Sequence, residues 1–200
     1  QAGPLLQALR EVLTNRVVVI AIAVQTLCFA CLFGTISSTQ QIFDISFGRA
    51  DSFPLWFALI ALMSGTASII NASLVVRVGM RAMINWTLRI QIVLSLIYLA
   101  VLTLTSVPDT ELFACHVIWT ISVFMLAGLT LGNLNALALE PLGHIAGMAA
   151  SVSGSLATVL AVAIAAPLGL AFDGTPVPLV LGICVLVGLG AVLMMVMPKR

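Results

Sequence analysis

Residues 17–38 read VVVIAIAVQTLCFACLFGTISS, a run without a single charged side chain. As a helix rising about 1.5 Å per residue, this stretch is long enough to cross the roughly 30 Å hydrocarbon core of a bilayer. Five more apolar runs follow, at 53–75, 84–105, 112–136, 145–170 and 177–197. Turn-forming residues separate them: Gly48 between Asp44 and Asp51, Gly79 between Arg77 and Arg81, Pro108-Asp109, Glu140-Pro141-Leu142-Gly143, and Asp173-Gly174-Thr175-Pro176. The 200-residue chain is 62% hydrophobic and 8% charged, and its mean hydropathy is +1.22. Water would meet large apolar patches on any soluble fold of this composition, whereas lipid would not. The expected fold class is all-α integral membrane, with six transmembrane helices in one bundle over 1–200 and the end of a linker at 1–16. The ends read as cuts from a larger protein, since the chain starts at Gln1 and closes on Pro198-Lys199-Arg200.

Charge assigns the two faces. Arg10 and Arg16 precede the first run, Arg77, Arg81 and Arg89 flank the second turn, and Lys199 and Arg200 close the chain. Only Arg49 falls on the other side, together with Asp44, Asp51, Asp109, Glu111 and Asp173. The positive-inside rule therefore predicts cytoplasmic ends. A net charge of +1 provides no basic footprint for nucleic acid. Lys199 is the one lysine, so no phosphate-binding GxxxxGK[ST] loop can form and an ATP-driven pump is excluded. The four cysteines lie in apolar runs and read as small core residues. Cys28 and Cys31 have thiol-pair spacing without a second ligand pair, and His116 and His144 fall at opposite ends of their spans, so no metal is expected. No nucleophile, base and orienting group occur together, which argues against an enzyme.

Small residues at four-residue spacing allow helices to pack closely in lipid. Ala146, Ala150 and Gly154 form one such ridge, Ala157, Ala161, Ala165 and Gly169 another, and Gly128 and Gly132 a GxxxG step. Pro167 is expected to kink its helix. Polar groups at membrane depth usually face a bundle interior or a cavity. Gln25 lies nine residues past Arg16, about 13 Å deep, with Phe29 and Phe33 following on the same helical face. An amide beside two rings suits a flat, weakly polar small molecule; a core pairing of the same residues is the competing reading. Ser64, Ser68 and Asn71 form a polar stripe that reads mainly as back-bonding to the helix. Asn133 and Asn135 precede Glu140, whose carboxylate reads either as a gating group or as a solvated cap. Arg89 is expected to snorkel to the interface beside Trp86.

Two motifs resemble a known family. NASLVVRVGMR at 71–81 resembles the G-x-x-x-D-R-x-G-R loop of the major facilitator superfamily at Arg77, Gly79 and Arg81, with Ala72 and Val76 in place of the Gly and Asp. GNLNALALEPLGHIAGMAASVSG at 132–154 is similar to the bicyclomycin and chloramphenicol/florfenicol resistance (Bcr/CflA) group of drug:proton antiporters. The resemblance implies the C-terminal six-span half of a bacterial inner-membrane exporter, built as a 3+3 inverted repeat. It implies an N-terminal half as partner, a small-molecule substrate, and the proton as coupling ion with no other cofactor. It also implies that Gln25, Phe29, Phe33, Met63 and Asn133 line the substrate cavity, while Arg77, Gly79, Arg81, Glu140 and Pro141 act in gating. A transporter of an endogenous metabolite, or a six-span scaffold without transport, stands as the alternative.

Overall fold

The computed structural model describes residues 9–198; Lys199 and Arg200, two of the charges used for orientation, lie outside the described residues. Six α-helices carry the fold: α1 Arg16–Gln41, α2 Phe53–Val78, α3 Met80–Leu104, α4 Asp109–Leu139, α5 Ala146–Leu170 and α6 Val177–Val196. A π-helical turn, Ile42–Ser46, prolongs α1, and 3-10 turns at Ala50–Ser52 and Glu140–Ile145 precede α2 and α5. Local chemistry sets the helix starts. Asn15 caps α1, its Oδ1 accepting from the Val17 and Val18 amides at 3.0 and 3.3 Å. Prolines occupy the first turns of α2 and α6, where the missing N–H costs no hydrogen bond. Asp109 and Glu111 place negative charge at the N-terminus of α4.

Among the described residues, five helical stretches are long and apolar enough to cross a membrane; the fourth runs from Asp109 through the 3-10 break to Leu170. At that break Leu142 leaves helical geometry, with φ −115° and ψ 26°. Many large apolar side chains lie on the outside of the bundle. On α2, Leu55, Leu62, Ile69 and Val76 recur every seven residues, each at least 73% exposed. Such a stripe is stable against hydrocarbon and not against water, and helices of this kind mark a membrane protein.

Two helices form the centre. α1 packs on α4, α5 and α6; α4 packs on α1, α2 and α3; α3 also packs on α6. Among these helices, the chain neighbours α2–α3, α4–α5 and α5–α6 touch far less. One small-residue ridge on α5, namely Ala149, Ser153, Ala157, Ala161 and Ala165, is buried on the helix that packs against α1. The expected ridge at 157–165 is this one. The expected ridge through Ala146, Ala150 and Gly154 is only half-buried, because stepping back by four from Ala157 reaches Ser153 and Ala149 instead. α5 continues through Pro167 and ends three residues later.

Glycines mark the closest approaches. Leu168 of α5 projects between Gly34 of α1 and Gly182 of α6: a Cβ at those positions would lie 2.9 and 2.0 Å from its methyl carbons. A Cβ at Gly128 on α4 would lie 2.8 Å from the Ala67 Cβ on α2, whereas one at Gly132 would meet nothing within 4 Å. Half of the GxxxG step is therefore a helix contact. Gly128→Leu should push α2 off α4 and lower the thermal unfolding midpoint in detergent, while Gly132→Leu should leave it within a degree or two; equal shifts in both variants would refute the contact.

Candidate functional site

The five residues expected to line a cavity are distributed over separate environments. Gln25 is 5% exposed, and its Oε1 has no hydrogen-bond partner. A buried, unsatisfied amide oxygen costs about 1–3 kcal/mol, so its retention in the middle of α1 needs a donor from elsewhere. One and two turns further on, Phe29 and Phe33 stack with centroids 5.6 Å apart and interplanar angle 20°, both half-buried. These three form an amide-and-aromatic face on α1. Asn133 lies elsewhere: its Nδ2 donates to Asn71 Oδ1 at 2.7 Å and to the Leu129 carbonyl at 2.8 Å. The structure thus joins two asparagines singled out separately in the sequence, and uses them to clamp α4 to α2. Met63 lines an apolar groove of about 420 Å³ with Arg49, Trp56, Leu59 and Phe113, and neither Gln25 nor Asn133 reaches that groove. Ser64 follows the back-bonding expectation, donating to the Ile60 carbonyl at 2.6 Å.

The five residues expected to act in gating all sit in helix junctions. α2 ends at Val78 and α3 begins at Met80, so Gly79 alone joins them, with φ 84° and ψ 154°. That region is essentially closed to residues with a Cβ. Arg77 is exposed in the last turn of α2. Arg81 reaches across to the end of the bundle, its Nη1 donating to the Pro198 carbonyl at 2.6 Å. Glu140 and Pro141 open the 3-10 turn between α4 and α5. In the same turn His144 Nε2 lies 2.9 Å from Glu11 Oε2, which ties the segment ahead of α1 to this junction.

The opposite end holds a cluster that the sequence reading missed. His116 on α4 is 1% exposed. Its Nδ1 lies 3.0 Å from the Tyr98 hydroxyl of α3, and its Nε2 is buried without a partner. Phe43, Phe47, Tyr98 and Trp119 surround the imidazole with centroids 5.3–6.1 Å away. Trp119 Nε1 donates to Ser95 Oγ at 3.1 Å, and Gln91 Nε2 donates to the same oxygen at 3.4 Å. Arg49 covers the neighbouring Phe113 ring at 4.3 Å, a cation–π contact that places the cation over the aromatic layer. The signal available beforehand was His116 and Trp119 three residues apart in one helix; the Phe43 and Phe47 contribution depends on the π-turn after α1.

At the same end Ser46 Oγ donates to the Gly174 carbonyl at 2.8 Å. Thr175 Oγ1 donates to Asp173 Oδ1 at 2.7 Å, which holds this loop carboxyl below the usual carboxylate range. Among the described residues, no three His, Cys, Asp or Glu side chains gather as metal ligands would.

Fold and surface together define a helical membrane protein with polar groups buried at depth and arginines at one set of helix junctions. The chain matches no family model, no curated protein and no solved structure.

Proposed function

We propose that this chain is the C-terminal half of a secondary transporter of the major facilitator type, exporting drugs or other small organic molecules in exchange for protons. The supporting observation is the symmetry of the packing. Exchanging α1, α2, α3 with α4, α5, α6 maps α1–α5 onto α4–α2 and α3–α4 onto α6–α1. It maps α1–α4 and α3–α6 onto themselves. With α4 and α5 as separate crossings there are six spans, and successive spans alternate in direction. The two triplets then run oppositely through the membrane, as in a 3+3 inverted repeat of a transporter half. The resemblance of 71–81 and 132–154 to the drug:proton antiporters supplies the export direction and the coupling ion.

In this reading the face of Gln25, Phe29 and Phe33 forms one wall of the substrate path. An N-terminal half of the same polypeptide supplies the opposite wall and the proton-carrying carboxylate. Gln25 Oε1 is buried without a partner inside this bundle, so it meets substrate only when the α1 face opens during the transport cycle. The Gly79 and Glu140-Pro141 junctions act where the two halves rock, and the arginine-bearing ends are cytoplasmic in a bacterial inner membrane.

The test is accumulation of chloramphenicol and florfenicol in cells producing the full-length protein, with and without a protonophore. Lower accumulation that the protonophore abolishes is the expected result. Unchanged accumulation at normal membrane abundance, extended to a panel of other small organic molecules, would refute it. Gln25→Ala should change the ranking of exported compounds at unchanged abundance; a fall in abundance instead would make Gln25 a packing residue.

A further inference from the structure

From the groove between α3 and α6 at the arginine-bearing end of the bundle, we infer a binding site for the headgroup of an anionic phospholipid. The groove encloses about 470 Å³, and Arg81, Asn85, Trp86, Arg89 and Met195 are among its lining residues. Its chemistry is that of an amphiphile's polar end. Two guanidinium groups face one groove, and neither forms an ion pair among the described residues. Arg81 spends one N–H on the Pro198 carbonyl, which fixes its position and leaves its other donors for a phosphate. Asn85 Nδ2 donates to the Arg81 carbonyl at 2.9 Å, which holds the amide beside that arginine.

The groove also opens in the right direction. Trp86 is 56% exposed, an indole placed where aromatic side chains meet headgroups. From it an exposed apolar stripe runs along α3 through Ile90, Val93 and Ile97. An acyl chain lying on this stripe would place its glycerol-phosphate at the arginines. Charge complementarity selects an anionic lipid over a zwitterionic one, since each arginine near the surface favours it by about fivefold.

The full-length protein, reconstituted in phosphatidylcholine vesicles with a minority of brominated phosphatidylglycerol or brominated phosphatidylcholine, tests this. The quenching lost in Trp86→Phe reports lipid at the groove. Brominated phosphatidylglycerol should quench Trp86 about fivefold or more in excess of brominated phosphatidylcholine at equal fraction. The preference should vanish in Arg81→Gln/Arg89→Gln and persist in Arg81→Lys/Arg89→Lys. It should also withstand excess inorganic phosphate. Equal quenching by the two lipids in the unmodified protein would overturn the inference. So would a preference that survives the glutamine pair, one that is lost in the lysine pair as well, or one displaced by free phosphate.

Discussion

His116→Ala is expected to destabilise the bundle by about 3 kcal/mol. Two losses combine. The imidazole is among the largest fully buried side chains, so its removal leaves a cavity walled by Phe43, Phe47, Tyr98 and Trp119. In a bilayer, where packing between helices depends on dispersion contacts, such a void is costly. The Tyr98 hydroxyl also loses the partner it has at 3.0 Å. His116→Phe separates these effects. It keeps a ring in the cavity, removes the unpartnered Nε2, and leaves only the Tyr98 hydroxyl unpaired. Its cost should be under half that of the alanine variant. Thermal unfolding of both variants in one detergent decides the matter: equal midpoints would mean that the polar atoms, and not the ring, hold this end together.

Gly79→Val should damage the protein as severely, through the backbone. The junction residue holds φ 84° and ψ 154°, and a β-branched side chain there adds strain of order 1–3 kcal/mol or more. No neighbouring atom lies within 4 Å of a Cβ placed at Gly79, so the cost is conformational and not a clash. It follows that Gly79→Ala and Gly79→Val should both lower the folded yield, although the space is empty. The Gly79 carbonyl accepts the Met83 amide at 3.1 Å, and its own amide donates to the Val75 carbonyl at 2.8 Å. A shift in the backbone would therefore fray both helices. Membrane-fraction yield and unfolding midpoint measured against Gly143→Ala, at a glycine without positive φ, are the controls. Wild-type behaviour of both Gly79 variants would contradict the argument.

The helices were readable because each long apolar run coincides with one of them. The run at 145–170 corresponds to α5 at Ala146–Leu170, and that at 177–197 to α6 at Val177–Val196. The ends differ where polar residues still serve a helix. The basic segment 77–81 reads as a turn, yet only Gly79 stands outside α2 and α3. The helix of 112–136 begins earlier, at Asp109, because Pro108 and two acidic residues favour a helix start. Less of the site was readable. Asn71 and Asn133 were each visible as polar groups in an apolar run, but their pairing depends on α2 lying against α4. The cluster around His116 draws on residues from α3, α4 and the segment after α1, and no single-helix periodicity contains it. Met63, expected with Gln25 among the residues lining the substrate cavity, lies in the α2–α4 groove, since α2 packs mainly on α4.

The Leu168 side chain between Gly34 and Gly182 acts as a key in a slot. It occupies the space that a Cβ would fill at Gly34 and Gly182, so sliding α5 along α1 or α6 by one residue, about 1.5 Å, requires the Leu168 side chain to move. One isobutyl group thus meets both α1 and α6. Relative motion of α1, α5 and α6 therefore has to repack this side chain, whereas motion carried by α2, α3 and α4 leaves it in place.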